Sequence, residues 1–165
     1  MLYHSTRSKL HTADSAQAVL EGLAGDGGLY MPEAIPAFDW QACLTGSSQD
    51  MATMILSALL PDIPDMRQLV ARAYTGKFET EDLTPTVAVG DMHVLELFRG
   101  PTSAFKDVAL CMLPQLLTAA KTAKGRQEDI LILTATSGDT GKAALEGFKD
   151  VDGIKICVFY PYGGV

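Results

Sequence analysis

The chain has 165 residues, 47% of them hydrophobic and 20% charged, and carries a net charge of −7 at neutral pH. That balance is long and apolar enough for one domain with a real core, or two small ones, and it excludes a disordered chain. The acidic excess argues against a nucleic-acid surface, which needs clustered Lys and Arg, while local cations and dipoles still permit an anionic substrate.

Cys43, Cys111 and Cys157 are far apart and show no C-x-x-C spacing, so neither a zinc site nor a disulfide framework is expected. Cys111 and Cys157 lie in apolar runs and read as buried, reduced core residues. His4, His11 and His93 show no metal-ligand spacing. Residues Met1 to Asp14 lack the apolar centre of a signal peptide, and no apolar run approaches the ~20 residues that span a bilayer. The expected location is the cytoplasm, with no membrane partner.

In chain order, Asp14-Ser15-Ala16-Gln17 predicts a capping box, with apolar residues continuing at Ala18, Val19, Leu20 and Leu23. Gly22, Gly25, Gly27 and Gly28 then end that helix in a turn. A second helix is expected over 50–60, stopped by Pro61. A third follows Pro64, with Met66, Leu69, Val70 and Ala73 at helical spacing. These helices predict a small, mostly helical unit over residues 1–82. From there, Thr86 to Val89 and Met92 to Leu97, separated by Gly90-Asp91, read as a hairpin or a pair of short strands.

The run from Leu97 to Asp107 places a lysine just after a Gly-Pro turn, at the opening of an apolar helix. A helix N-terminus carries partial positive charge, so its dipole disfavours an ammonium there, as does burial. A lysine held neutral is a nucleophile that forms Schiff bases, whereas a surface Lys106 following Phe105 into the helix would have no such role. Phe105 itself reads as core. Within the helix, Pro114 predicts a kink or a restart. The basic residues Lys121, Lys124 and Arg126 suit its C-terminal end and a solvated face.

Residues 130–136 form a continuous apolar run that reads as a buried strand. It leads into Ser137-Gly138-Asp139-Thr140-Gly141, then a helix, then a strand from Ile154 to Tyr160. Strand, glycine turn, helix and strand predict a parallel βαβ unit and an α/β fold. The turn presents backbone N–H groups, a helix dipole and the hydroxyls of Ser137 and Thr140 to an anion. It also reads as a tight connection with Asp139 or Thr140 as the helix cap. Gly141-Lys142 does not complete a P-loop, because Thr136 and Ala143 stand where glycine and a hydroxyl are required. Lys142 is therefore expected to face solvent or an acidic neighbour. A parallel sheet normally has several strands with helices on both faces, so the single βαβ unit predicts a fragment of a longer enzyme.

The segments LFRGPTSAFKDVAL, ILTATSGDTGKAALEGF and VFYP, together with Tyr3-His4-Ser5-Thr6-Arg7 and the stretch from Leu20 to Glu33, resemble the threonine synthase family. These are pyridoxal-phosphate enzymes of the tryptophan-synthase-like fold, fold type II, which convert O-phospho-L-homoserine and water to L-threonine and phosphate. The resemblance implies a family-type N-terminal domain over residues 1–82 and an incomplete pyridoxal-phosphate-binding α/β domain over 83–165. It implies Lys106 as the lysine that carries the cofactor and afterwards shuttles protons, with Thr102 and Ser103 near cofactor or substrate unless one of them caps the helix. It also implies Ser137, Gly138, Asp139, Thr140 and Gly141 as the loop for the carboxylate end of a small phosphorylated amino acid. Asp139 is awkward there, since a carboxylate repels a carboxylate. Arg99 departs from the family, which commonly carries His at that position. The family's phosphate loop and the partner of the pyridine nitrogen lie later in sequence than Val165, so the chain alone is expected to have no turnover and weak cofactor binding at most. Two alternatives stand beside this expectation: a related phospholyase releasing phosphate and 2-oxobutyrate, and a non-catalytic module that binds an anionic metabolite.

Overall fold

The computed structural model describes residues 1–163, which divide into two compact units. One unit holds Met1–Val70 and Leu116–Gln127; the other holds Ala71–Gln115 and the chain from Glu128 onward.

In the first unit, β1 (Leu2–Ser5) lies between β2 (Thr12–Asp14) and β3 (Tyr30–Pro32) in an antiparallel sheet, with Tyr3 opposite both Ala13 and Pro32. Helix α1 (Ser15–Glu21) starts where the Asp14 carboxylate accepts from the Gln17 N–H at 2.8 Å. Only half of the expected capping box forms, because the Gln17 side-chain amide turns forward to the Glu21 carboxylate. Gly22, at φ 68, ends the helix. Helix α2 (Trp40–Thr45) is capped by Asp39, and α3 (Ser48–Leu59) begins two residues earlier than expected because Ser47 and Asp50 form a reciprocal capping box. Tyr3, Ala13 and Ala18 make a small core with Met1, Tyr30 and Leu60 packed against it. Helix α4 (Met66–Tyr74) buries the four predicted positions Met66, Leu69, Val70 and Ala73.

The second unit opens with the hairpin β4 (Thr86–Val89) and β5 (Met92–Leu95), paired from Thr86–Leu95 to Val89–Met92. Gly90 turns it at φ 61, a left-handed conformation open to glycine without steric cost. Helix α5 (Asp107–Ala123) is continuous through Pro114, without the expected restart. Proline lacks the N–H that would reach the carbonyl of Leu110, four residues back. That carbonyl faces Gly147 so closely that an added Cβ would sit 2.1 Å from its oxygen. Gly147 belongs to α6 (Asp139–Phe148), between the parallel strands β6 (Ile130–Ala135) and β7 (Ile154–Phe159). The βαβ unit thus forms as predicted, and glycine brings its helix onto α5.

Three expectations are corrected here. Strand β6 is not buried on both faces: Leu131 and Leu133 are exposed, because among the described residues α6 covers one side of the pair. Cys157 lies on that same open side of β7 and is exposed, whereas Cys111 is buried in α5. Lys124, expected only to be solvated, pairs with the carboxylate of Asp14 in the first unit.

Candidate functional site

A cleft of about 380 Å³ in the second unit is lined by residues 103–106 on one side and by Thr136, Ser137, Asp139 and Thr140 on the other. The two sides are the openings of α5 and α6. The two stretches that carried the chemistry in the sequence therefore meet in space.

Lys106 sits immediately before α5, its carbonyl accepting the first helical bond from the Leu110 N–H at 2.8 Å. Its amine lies 4.1 Å from the centre of the Phe105 ring, a cation–π contact. Phe105 is accordingly not core: it is 61% exposed at the rim of the cleft and offers its face to the ammonium. The start of α5 is fixed from below by Tyr74, whose hydroxyl donates to the Val108 carbonyl at 2.9 Å. Burial, with a smaller contribution from Cys111, pushes the Tyr74 phenol up to about 12.

Thr102 is buried and lies outside the lining of the cleft. Its N–H donates to Asp107 Oδ2 at 2.8 Å and its hydroxyl to Asp107 Oδ1 at 2.6 Å. Asp107 is 1% exposed. Ser103 does line the cleft, in a left-handed conformation at φ 60. Arg99 is turned to other partners: its guanidinium bonds Glu79 at 2.8 Å and Glu96 at 2.7 Å and lies 5.0 Å from the Phe98 ring. Those two carboxylates hold its already high pKa higher still, Glu79 most strongly.

On the opposite side, Gly138 takes the capping position of α6, and no side chain caps the helix. Neither Asp139 nor Thr140 fills that role; both lie inside the first turn. The N–H of Gly138 leans on Thr136 Oγ1 at 3.3 Å, and the N–H of Lys142 is the first to be bonded within the helix, to the Gly138 carbonyl at 3.1 Å. The intervening N–H groups of Asp139, Thr140 and Gly141 are the unsatisfied donors of a helix start, beside the hydroxyls of Ser137 and Thr140. Gly141 is buried against the sheet: a Cβ there would come within 2.4 Å of Thr136 Cγ2 and 2.8 Å of Val158 Cγ1. Its small size seats the first turn at the ends of the strands, where open α/β sheets bind ligands. Lys142 is exposed and outside the lining.

Sequence reasoning missed Thr136, Ala104 and Phe105 as lining residues, and Asp107 altogether. Thr136 carried a signal, being the last residue before the glycine turn. Asp107 read only as an acid in the first turn of a helix. Among the described residues no cluster of His, Cys, Asp and Glu suits a metal ion, and no helix is long and apolar enough to cross a membrane.

Lys106 and the uncapped start of α6 thus line one cleft, which offers an amine on one side and hydroxyl and N–H donors on the other. The family described as threonine synthase N terminus matches residues 2–74. Threonine synthase of Saccharomyces cerevisiae is 38% identical over 99% of the chain, and that of Methylobacillus glycogenes is 39% identical over 98%. The crystal structure of pyridoxal-phosphate-bound threonine synthase from Brucella melitensis superposes with a TM-score of 0.90 at 38% identity over 100% of the chain. The chain spans 36% of the length of the yeast and Brucella proteins and 37% of the Methylobacillus one.

Proposed function

We propose that this chain, similar over its whole length to the N-terminal part of threonine synthases, is that part of such an enzyme. The complete protein then converts O-phospho-L-homoserine and water to L-threonine and phosphate. Residues 1–82 correspond to the family's N-terminal domain and 83–165 to part of its cofactor domain; the last two residues lie outside those described. The observation that carries this assignment is the meeting of Lys106 with the uncapped start of α6 in one cleft.

Bound pyridoxal phosphate supplies an electron sink for chemistry along the amino acid's carbon chain. The protein's own residues do the rest. Lys106 would hold the cofactor through its amine and would carry protons at the substrate's carbons. The N–H groups at the start of α6, with the hydroxyls of Ser137 and Thr140, orient the substrate carboxylate. Gly138 leaves the helix start uncapped, Gly141 seats it, and Asp139 contributes its backbone N–H. Ser103 stands beside Lys106 as a donor to cofactor or substrate. Thr102 contributes from behind, through Asp107. Hydroxyls and N–H groups suit a carboxylate and an amine suits an aldehyde, so the residues present fit these parts of cofactor and substrate. The cytoplasm is the proposed location.

Borohydride trapping with pyridoxal phosphate, followed by peptide mapping, tests the assignment. In the complete enzyme, Lys106 is expected to carry most of the label among the eight lysines of this part, and Lys106→Ala to remove it. Labelling spread evenly over the surface lysines would reduce Lys106 to a structural residue and favour a binding module.

A further inference from the structure

We propose that Asp107 is the positioning residue for Lys106: its buried carboxylate closes residues 100–107 into a clasp that fixes where the lysine leaves the chain. This rests on Lys106 being the cofactor lysine.

A carboxylate this far from water is costly unless it is fully engaged, and both oxygens of Asp107 are, by the N–H and the hydroxyl of one residue, Thr102. The clasp is tight. An added Cβ on Gly100 would fall 2.5 Å from both Cβ and Oδ2 of Asp107, so only glycine lets the chain pass there. Within the ring, the Ser103 N–H donates to the Gly100 carbonyl at 3.1 Å and the Asp107 N–H to the Ala104 carbonyl at 3.0 Å. Ser103 is held between them at φ 60, a conformation that a serine in a free loop would leave. Lys106 is thus gripped on both sides, by the clasp before it and by α5 after it. It is also the one cation among the residues lining the cleft. A rotation of its backbone would move the amine from its place in the cleft.

An acid that merely favours the helix dipole needs no upstream partner. Thr102 therefore separates the two roles. The complete protein is compared with its Thr102→Val, Thr102→Ser and Asp107→Asn variants, each checked for folding by thermal unfolding. Two ratios are read, with the exposed Lys142 as internal reference. The first is borohydride-trapped pyridoxal phosphate at Lys106 over Lys142. The second is the acetylation rate of Lys106 over Lys142 with acetic anhydride and no cofactor. We expect Thr102→Val and Asp107→Asn to lower the trapping ratio about tenfold and to shift the acetylation ratio about threefold, while Thr102→Ser stays near the parent. If Asp107→Asn does not fold, Thr102→Val, which removes a single hydrogen bond, decides. Parent-like ratios in a folded Thr102→Val protein overturn the proposal. If the parent shows no trapping preference for Lys106, the cofactor-lysine assignment fails by itself. The acetylation ratios then still decide the clasp, and their invariance overturns it.

Discussion

The openings of α5 and α6 are built from the same materials, a glycine, a threonine, a serine and an aspartate, and they end in opposite states. At α5 the aspartate turns back, takes both polar groups of Thr102, and leaves no room beside Gly100. At α6 the aspartate is exposed, glycine caps without a side chain, and the first N–H groups have no side-chain partner. The clasp ahead of α5 holds geometry, whereas the start of α6 gives up a side-chain cap, worth about 1 kcal/mol, and leaves its donors open. The difference fits the proposal that one side of the cleft holds a reactive group still and the other receives an anion.

The strongest way to break this contrast is Gly100→Ala. Its Cβ would lie 2.5 Å from two atoms of Asp107, so the clasp must open, and a loss of about 2–3 kcal/mol is expected in urea unfolding. A loss below about 0.5 kcal/mol would mean that the clasp is loose. Tyr74→Phe tests the support beneath the same helix start and should cost about 1 kcal/mol. Its effect depends on pH in a defined sense. The folded phenol titrates at about 12, above its ordinary value, so its contribution is complete below about pH 10 and lost as pH rises towards 12. The parent's advantage should therefore shrink as pH rises above about 10 and then reverse, and an advantage of the parent that grew there would contradict the burial of the hydroxyl. Smallest of all is Ser137→Ala on the open side. Its hydroxyl caps nothing, so thermal stability should stay within about 0.5 kcal/mol of the parent. A larger loss would mean that Ser137 supports the fold rather than a ligand.

Much of this was legible in the residues. Met66, Leu69, Val70 and Ala73 repeat at helical spacing, and the apolar runs flanking a glycine turn announce β6, α6 and β7, because periodicity and turn chemistry are local. The sheet of the first unit was not legible, since its strands of three and four residues mix polar and apolar side chains and are shorter than any pattern. Phe105 and Cys157 were misread as core because an apolar residue carries no mark of which face will be covered.

Sequence alone determined that Lys106 follows a glycine turn into a helix and that a hydroxyl-rich glycine turn follows a strand. Those are properties of neighbouring residues and of the backbone geometries they favour. Only the tertiary structure decided that the two turns share a cleft, that Asp107 faces Thr102 instead of solvent, and that Gly147 meets the Leu110 carbonyl, to which Pro114 has no N–H to donate. These outcomes depend on which surfaces close over one another, and burial, unlike periodicity, is set by residues far away in the chain.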